Sequence, residues 1–248
     1  MTSLEGADRA VTPRLRRGTA LAVALTAAAM LALLIGQMAH PVRIAQSLLP
    51  FALIGGFAIR GLIHHAPQTR FGAANLVTLL RAGGVCLLAG LIGRTEDAAM
   101  LGWMLPLTAL AILALDGLDG WLARRFGLAS AYGARFDMEV DAFLILVLSL
   151  LVMQGTAAGP WVMLCGALRY LFLAWLVLMP RYDRPLPPSL CRKTVFVVQA
   201  IALVGVLAPG LPNPAALALA ALATGLVTAS FARDSFWLYR TEKKEQTR

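Results

Sequence analysis

The sequence predicts an all-α integral membrane protein with about eight transmembrane helices. Of its 248 residues, 59% are apolar and only 14% are charged, whereas soluble domains contain about 45–50% apolar and about 25% charged residues. One globular core of this size cannot bury so much apolar surface. The same composition excludes a disordered chain and a disulfide-stapled secreted module, and the three dispersed cysteines show no metal-binding spacing.

Eight apolar segments are long enough to be transmembrane helices, because about 20 residues cross the hydrocarbon core of a bilayer. The second segment is the weakest candidate, since it is short, contains Arg60 and has Pro50 near its start. Whether this segment spans fully stays open. The eight predicted segments are 18–38, 47–64, 75–93, 98–117, 136–154, 160–179, 194–210 and 214–238.

The charge distribution predicts the orientation of the chain. It carries 22 basic and 13 acidic residues, for a formal net charge of +9. With a cytoplasmic N-terminus, nearly all basic residues fall on inner segments, Arg43 and Arg94 fall outside, and Arg169 lies within a span. Because cytoplasmic loops are enriched in Lys and Arg, we expect both termini to be cytoplasmic. The basic surface would then face anionic lipid, and nucleic acid is not an expected partner, since no basic stripe alternates with aromatic residues.

Four of the eight aspartates lie between positions 116 and 141. Asp116 and Asp119 share a helix face at the end of the fourth span, and Asp137 and Asp141 share one at the start of the fifth. Folding back the intervening loop would bring the two pairs together. Ionisable groups at the ends of spanning helices are costly to bury and indicate a functional site.

Carboxylates this close require a counter-charge, because neighbouring negative charges repel one another. Oxygen ligands of this type suit Mg²⁺ or Mn²⁺, and one or two such ions would form a binding site for a diphosphate. The spacing alone leaves an alternative open, namely a polar network between helices or a solvated loop that carries incidental acids.

The full motif is specific. It reads Asp116-x2-Asp119-Gly120-x2-Ala123-Arg124-x8-Gly133-x3-Asp137-x3-Asp141. This string resembles, without a departure, the signature of the CDP-alcohol phosphatidyltransferase family. A weaker resemblance extends over about 75–238, which would be the six-helix core of that family. The resemblance implies three parts, which are a basic tail with two additional transmembrane helices (1–66), a six-helix catalytic membrane domain (67–240) and a charged cytoplasmic tail (241–248).

The resemblance also implies roles for the motif residues. The four aspartates would hold one or two divalent ions at the cytoplasmic membrane surface, and Asp137 and Asp141 would be catalytic. Asp141 would act as the general base that takes the proton from the acceptor hydroxyl. Arg124 resembles the family's arginine near the nucleotide diphosphate, a group that guanidinium suits. Small residues would let the nucleotide approach the helices closely; these are Gly120, Ala123 and Gly133.

A second element, Asn75-x2-Thr78-x2-Arg81, opens the third span. It resembles the start of the family's first core helix, which lines the nucleotide pocket. Steps of three residues place these polar groups on one side of a helix. The alternative is a helix N-cap followed by an interfacial arginine.

Arg169 lies near the middle of an apolar helix, where an unpaired arginine is unfavourable by at least about 2.5 kcal/mol. The family often has a basic residue in this region that faces the acceptor pocket. Together with Arg192 and Lys193, it could hold a phosphorylated alcohol. The alternative is a structural ion pair with a site aspartate. Asp234 is expected to be a surface or interfacial acid.

The resemblance therefore implies a metal-dependent transferase of phospholipid biosynthesis that moves a phosphatidyl group from a CDP-alcohol to an acceptor alcohol and releases CMP. We expect CDP-diacylglycerol as the donor and glycerol 3-phosphate as the acceptor. Serine, inositol phosphate and choline are the alternative acceptors. The reversed pairing, CDP-choline or CDP-ethanolamine with diacylglycerol, uses the same signature. A cation-coupled transporter and a non-catalytic scaffold are alternatives from other classes. A homodimer in a bacterial inner membrane, with a cytoplasmic active site, is the expected assembly and location.

Overall fold

The computed structural model describes residues 13–37, 40–64, 71–125, 131–182, 187 and 189–246. Within these ranges, the side chains at 13–14, 63–64, 118–124 and 243–246 are not described. The described chain is helical throughout and contains no strand in these ranges, which agrees with the predicted all-α class.

Nine α-helices follow one another in the described part of the chain. They are α1 (Pro13–Gly36), α2 (Pro41–Arg60), α3 (Ala73–Ala89), α4 (Thr95–Leu101), α5 (Met104–Arg125), α6 (Ala131–Gly155), α7 (Leu164–Leu178), α8 (Leu190–Val206) and α9 (Asn213–Gln246). One short 3₁₀ helix follows α2, and two others lie on either side of α7; they are Gly61–His64, Pro160–Met163 and Pro180–Tyr182.

The apolar helices are those of an integral membrane protein. Among the described residues, four segments are long and apolar enough to cross a bilayer, and a fifth results if α4 and the first part of α5 count as one broken span. The predicted number of about eight spans is therefore not confirmed. The four segments are Leu15–Gly36, Pro41–Arg60, Pro160–Leu178 and Asn213–Glu242.

The helix bounds differ from those of the predicted spans, and two of the differences involve Pro41 and Gly102. The segment predicted at 47–64 begins earlier, because Pro41 occupies the first turn of α2, where its missing N–H costs nothing. The segment predicted at 98–117 is interrupted between α4 and α5. Gly102 lies in this break with a φ of 50°, a left-handed conformation that glycine adopts readily.

The chain divides into two compact units. The first unit comprises Met1–Arg94 and Leu107–Phe143, and the second comprises Thr95–Pro106 and Leu144–Arg248. The predicted functional parts, with boundaries at positions 66 and 240, do not coincide with these two units, and they stay a prediction.

In the first unit, α1, α2 and α3 pack against one another. Glycines allow the close approach, as in many membrane helix pairs. A Cβ atom at Gly55 of α2 would lie 2.6 Å from a methyl carbon of Val23 on α1, and one at Gly83 of α3 would lie 3.0 Å from the methyl carbon of Thr26. The first two helices are thus packed closely on α3, which carries Arg81.

In the second unit, α9 packs against α7 and α8. Buried polar groups are paired here, as buried groups generally are. Gln199 of α8 donates to the backbone carbonyl of Cys165 on α7 at 3.2 Å, and the thiol of Cys165 lies 3.1 Å from the hydroxyl oxygen of Thr224 on α9. The three helices are therefore joined by polar contacts as well as by apolar packing.

Candidate functional site

Three of the four aspartates predicted to bind metal converge in the first unit. Asp116 lies on α5, and Asp137 and Asp141 lie one turn apart on α6. One carboxylate oxygen from each residue lies within 4.8 Å of the other two. Their side chains are 26%, 35% and 19% exposed, respectively. Helices α5 and α6 thus form a partly open acidic cluster.

The other motif residues lie on the same two helices. Gly133 is half-buried, four residues before Asp137 on α6. The remaining four belong to the last turns of α5, and their side chains fall outside the described part of the chain; they are Asp119, Gly120, Ala123 and Arg124.

Arg81 of α3 contacts all three aspartates of the acidic cluster. Its side chain is fully buried. Nη2 lies 2.9 Å from Asp116 Oδ1 and 2.5 Å from Asp141 Oδ1, and Nη1 lies 2.6 Å from Asp137 Oδ1. Nε donates to the carbonyl of Ile112 at 3.3 Å. A planar guanidinium carries several donors in a fixed arrangement, which allows it to bond with several carboxylates at once.

The sequence pattern placed Arg81 in the nucleotide pocket and did not predict its contact with the aspartates. One feature of the sequence could have indicated this contact. The acidic cluster requires positive charge, and Arg81 is a basic residue inside a neighbouring apolar segment. Residue spacing shows which side chains share a face of one helix. It does not show which face of a second helix packs against them.

Asn75 and Thr78 lie on α3, about two turns and one turn before Arg81 respectively, and both are buried. Asn75 Nδ2 donates to the Phe71 carbonyl at 2.6 Å, and Thr78 Oγ1 donates to the Ala74 carbonyl at 3.1 Å. The alternative of an N-cap with an interfacial arginine is wrong, because Gly72 is the N-cap of α3 and Arg81 is buried in the acidic cluster. A contact with nucleotide stays a prediction for these residues.

The start of α6 has a second, buried face next to the one that carries the aspartates. Tyr132, Phe136 and Val140 follow one another at intervals of four and are all buried. The rings of Tyr132 and Phe136 stack with their centroids 6.1 Å apart. Because this face is buried, the neighbouring face of α6 presents Asp137 and Asp141 to Arg81.

The three basic residues predicted to bind the acceptor belong to the second unit. Arg169 is half-buried on α7, and Lys193 is exposed near the start of α8. Arg192 donates to Asp234 of α9 at 3.1 Å and to the carbonyl of Pro187. Asp234 is buried, so the prediction of a surface acid is wrong, and the residue also accepts a hydrogen bond from Arg233. Binding of an acceptor by these basic residues stays a prediction.

The acidic cluster fits a divalent metal ion. Its donors are carboxylate oxygens, the type that Mg²⁺ and Mn²⁺ prefer, and they lie close enough to share an ion. The partial exposure of the three side chains leaves room for water or substrate oxygens as further ligands.

Comparison with known families agrees with this chemistry. The model of the family described as CDP-alcohol phosphatidyltransferase matches residues 71–230, which is more than half of the chain. The match includes Arg81 and the four aspartates of the motif, and α1 and α2 precede it. No curated protein and no solved structure matches the chain significantly. The chain therefore belongs to the CDP-alcohol phosphatidyltransferase family, a family of phosphotransferase enzymes.

Proposed function

We propose that this protein transfers a phosphatidyl group from CDP-diacylglycerol to glycerol 3-phosphate, with release of CMP. The observation that carries the proposal is the convergence of Asp116, Asp137 and Asp141 within the region matched by the family. An amphiphilic donor suits this chain, because the acidic residues border the apolar stretches of α5 and α6, where a headgroup and its acyl chains can both be accommodated.

Asp141 is the proposed general base. The acceptor oxygen forms a bond to the phosphorus on the lipid side of the diphosphate, and the bond from this phosphorus to the bridging oxygen breaks. CMP leaves with the electron pair, and Asp141 takes the proton of the acceptor hydroxyl. A general base must come within hydrogen-bond reach of that proton, and the partial exposure of Asp141 supports such access.

The four motif aspartates, Asp116, Asp119, Asp137 and Asp141, are the proposed ligands of one or two Mg²⁺ or Mn²⁺ ions. Such ions, when bound, supply positive charge that neutralises the phosphates and stabilises the leaving group. The proximity of three of these carboxylates supports the assignment.

The nucleotide is proposed to lie along α3, α5 and α6. Gly120, Ala123 and Gly133 offer little side-chain bulk, and Arg124 offers a guanidinium for the diphosphate. Asn75 and Thr78 would supply polar groups from α3, on the same helix as Arg81. The meeting of α3 and α6 at the acidic cluster supports this arrangement.

Glycerol 3-phosphate is the proposed acceptor because it carries a phosphate that cationic side chains can bind. Arg169, Arg192 and Lys193 are the proposed contacts. The bacterial inner membrane, with both termini and the active site on the cytoplasmic side, is the proposed location, and the distribution of basic residues supports it. A homodimer is the proposed assembly on the family resemblance alone.

The test is a reaction with purified full-length protein in detergent. CDP-diacylglycerol and Mn²⁺ are supplied with a panel of glycerol 3-phosphate, serine, inositol phosphate and choline, and release of CMP is followed. We expect rapid release with glycerol 3-phosphate and little with the others. Release with a different alcohol would correct the acceptor, and no release with any alcohol would contradict the proposed donor.

Two variants make this test specific. Asp137→Asn removes a proposed ligand while keeping the size of the side chain, and we expect it to abolish CMP release with little change in folding. Glu139→Gln is the matched control, since Glu139 is exposed on the same helix between the two aspartates. Equal losses in both variants would count against a specific role of Asp137.

A further inference from the structure

We propose that α2, which precedes the family-matched region, positions the catalytic aspartates through a contact between its end and the start of α6. The family match begins at residue 71, after α1 and α2. The match itself therefore gives these two helices no part in the reaction. The inference rests on the proposed function of the acidic cluster, and it assigns Tyr132 as a positioning residue for that cluster.

Tyr132 joins the two helices by a buried hydrogen bond. Its hydroxyl donates to the carbonyl of Ala58, in the last turn of α2, at 2.8 Å. Tyr132 is 5% exposed and Ala58 is 1% exposed. Carbonyls in the last turn of a helix commonly take a partner from outside the helix, and a buried polar group that loses its partner is costly. The bond therefore fixes the ring of Tyr132 at one place on α2.

Gly61 provides the space for that ring. A Cβ atom at Gly61 would lie 2.7 Å from Cε2 and 3.0 Å from Cδ2 of Tyr132. Real Cβ atoms do not approach a rigid ring this closely, so any other residue at this position would displace the ring. The end of α2 thus holds Tyr132 both by a hydrogen bond and by steric fit.

The contact sets the rotation of α6 about its own axis. Tyr132, Phe136 and Val140 form the buried face of α6. Each is followed directly by a residue of the motif, namely Gly133, Asp137 and Asp141. Successive residues of an α-helix are about 100° apart around the axis. A rotation of α6 by even part of this angle would turn Asp137 and Asp141 away from Arg81 and Asp116.

Helix α2 also contacts the helix that supplies Arg81. It packs along α3, and its Gln46 side chain donates to the carbonyl of Ile92, just beyond α3, at 3.4 Å. One helix outside the family match therefore contacts both α3, which carries Arg81, and α6, which carries two aspartates of the cluster. This double contact is the physical basis for a positioning role.

The test uses full-length protein and measures Mn²⁺ binding, both as a dissociation constant and as the number of ions per chain, well below the unfolding temperature. Tyr132→Phe removes the hydroxyl and keeps the ring. We expect its dissociation constant to rise about two- to tenfold, the effect of losing one net hydrogen bond, with the number of ions unchanged. Tyr239→Phe is the matched control, because Tyr239 is exposed on α9, and it should leave both values unchanged.

A second variant separates position from stability. Gly61→Ala displaces the ring without removing its hydroxyl, and we expect a similar rise in the dissociation constant. Because both changes act on one contact, the double variant should show less than the sum of the two effects. A fall in the number of ions with an unchanged dissociation constant would mean that the contact serves folding only, and would overturn the inference.

The outcomes also separate this inference from the proposed function. If the wild-type chain binds Mn²⁺ and Tyr132→Phe binds it equally well, the positioning role is overturned and the proposed function stands. If the wild-type chain binds no divalent ion, the proposed metal centre is overturned, and the positioning role with it.

Discussion

Arg81 and Asp137, which are 56 positions apart in the sequence, form an ion pair with 2.6 Å between Nη1 and Oδ1. The same guanidinium also contacts Asp116 and Asp141. The positive charge that the acidic cluster requires is thus supplied in part by α3 itself. A metal ion that entered the cluster would therefore share its carboxylate ligands with Arg81.

We predict that Arg81→Gln lowers the stability of the protein and makes that stability depend on metal. Removal of one partner from a buried ion pair typically costs about 3 kcal/mol or more, because charges are left uncompensated. Thermal unfolding in detergent with EDTA should show a lower midpoint than wild type, and Mn²⁺ should raise the midpoint of the variant more than that of wild type.

The control for this experiment is Arg135→Gln, since Arg135 is exposed on α6. It should unfold as the wild type does, with and without Mn²⁺. Unfolding of Arg81→Gln at the wild-type temperature under both conditions would show that the guanidinium does not neutralise the cluster.

We predict that Asp141→Asn lowers kcat by about 10²–10⁴-fold, the usual contribution of a general base. Asparagine keeps the size of the side chain but cannot take the acceptor proton. The measurement is CMP release at saturating donor and acceptor, with Glu139→Gln as the control on the same helix. A variant that keeps at least a third of the wild-type kcat would exclude Asp141 as the base.

We predict that EDTA stops CMP release and that added Mn²⁺ or Mg²⁺ restores it. Carboxylate oxygens bind these ions reversibly, and without them the charge of the diphosphate is not neutralised. The assay follows CMP before chelation, after it and after each ion is returned. Turnover that continues unchanged in EDTA would contradict metal ligation by the acidic cluster.

The helical class was predictable because it depends on composition, whereas the bounds of individual spans depend on local backbone geometry. The segment predicted at 98–117 is apolar enough to span, yet Gly102 takes a left-handed conformation and the helix breaks there. The segment predicted at 75–93 ends as a helix at Ala89, before Gly93, which is also left-handed. Apolarity alone does not reveal such turns.

The acidic cluster was predictable in part, because helical spacing fixes which residues share a face. Asp137 and Asp141 share one on α6, as their interval of four residues requires. Helical spacing alone did not predict the contacts of Arg81 and Tyr132, since each joins residues on different helices. These contacts depend on which helix faces pack together, and the periodicity of a single sequence does not indicate that pairing.

We predict that Arg169→Ala raises KM for glycerol 3-phosphate by about tenfold or more, the effect of losing a charge-assisted hydrogen bond, and changes KM for CDP-diacylglycerol much less. The assay varies each substrate in turn. Arg181→Ala is the control, because Arg181 is exposed and stacks on Tyr182, with its Cζ atom 5.0 Å from the ring centroid. Equal changes in both KM values, or an unfolded variant, would indicate that Arg169 has a structural role instead.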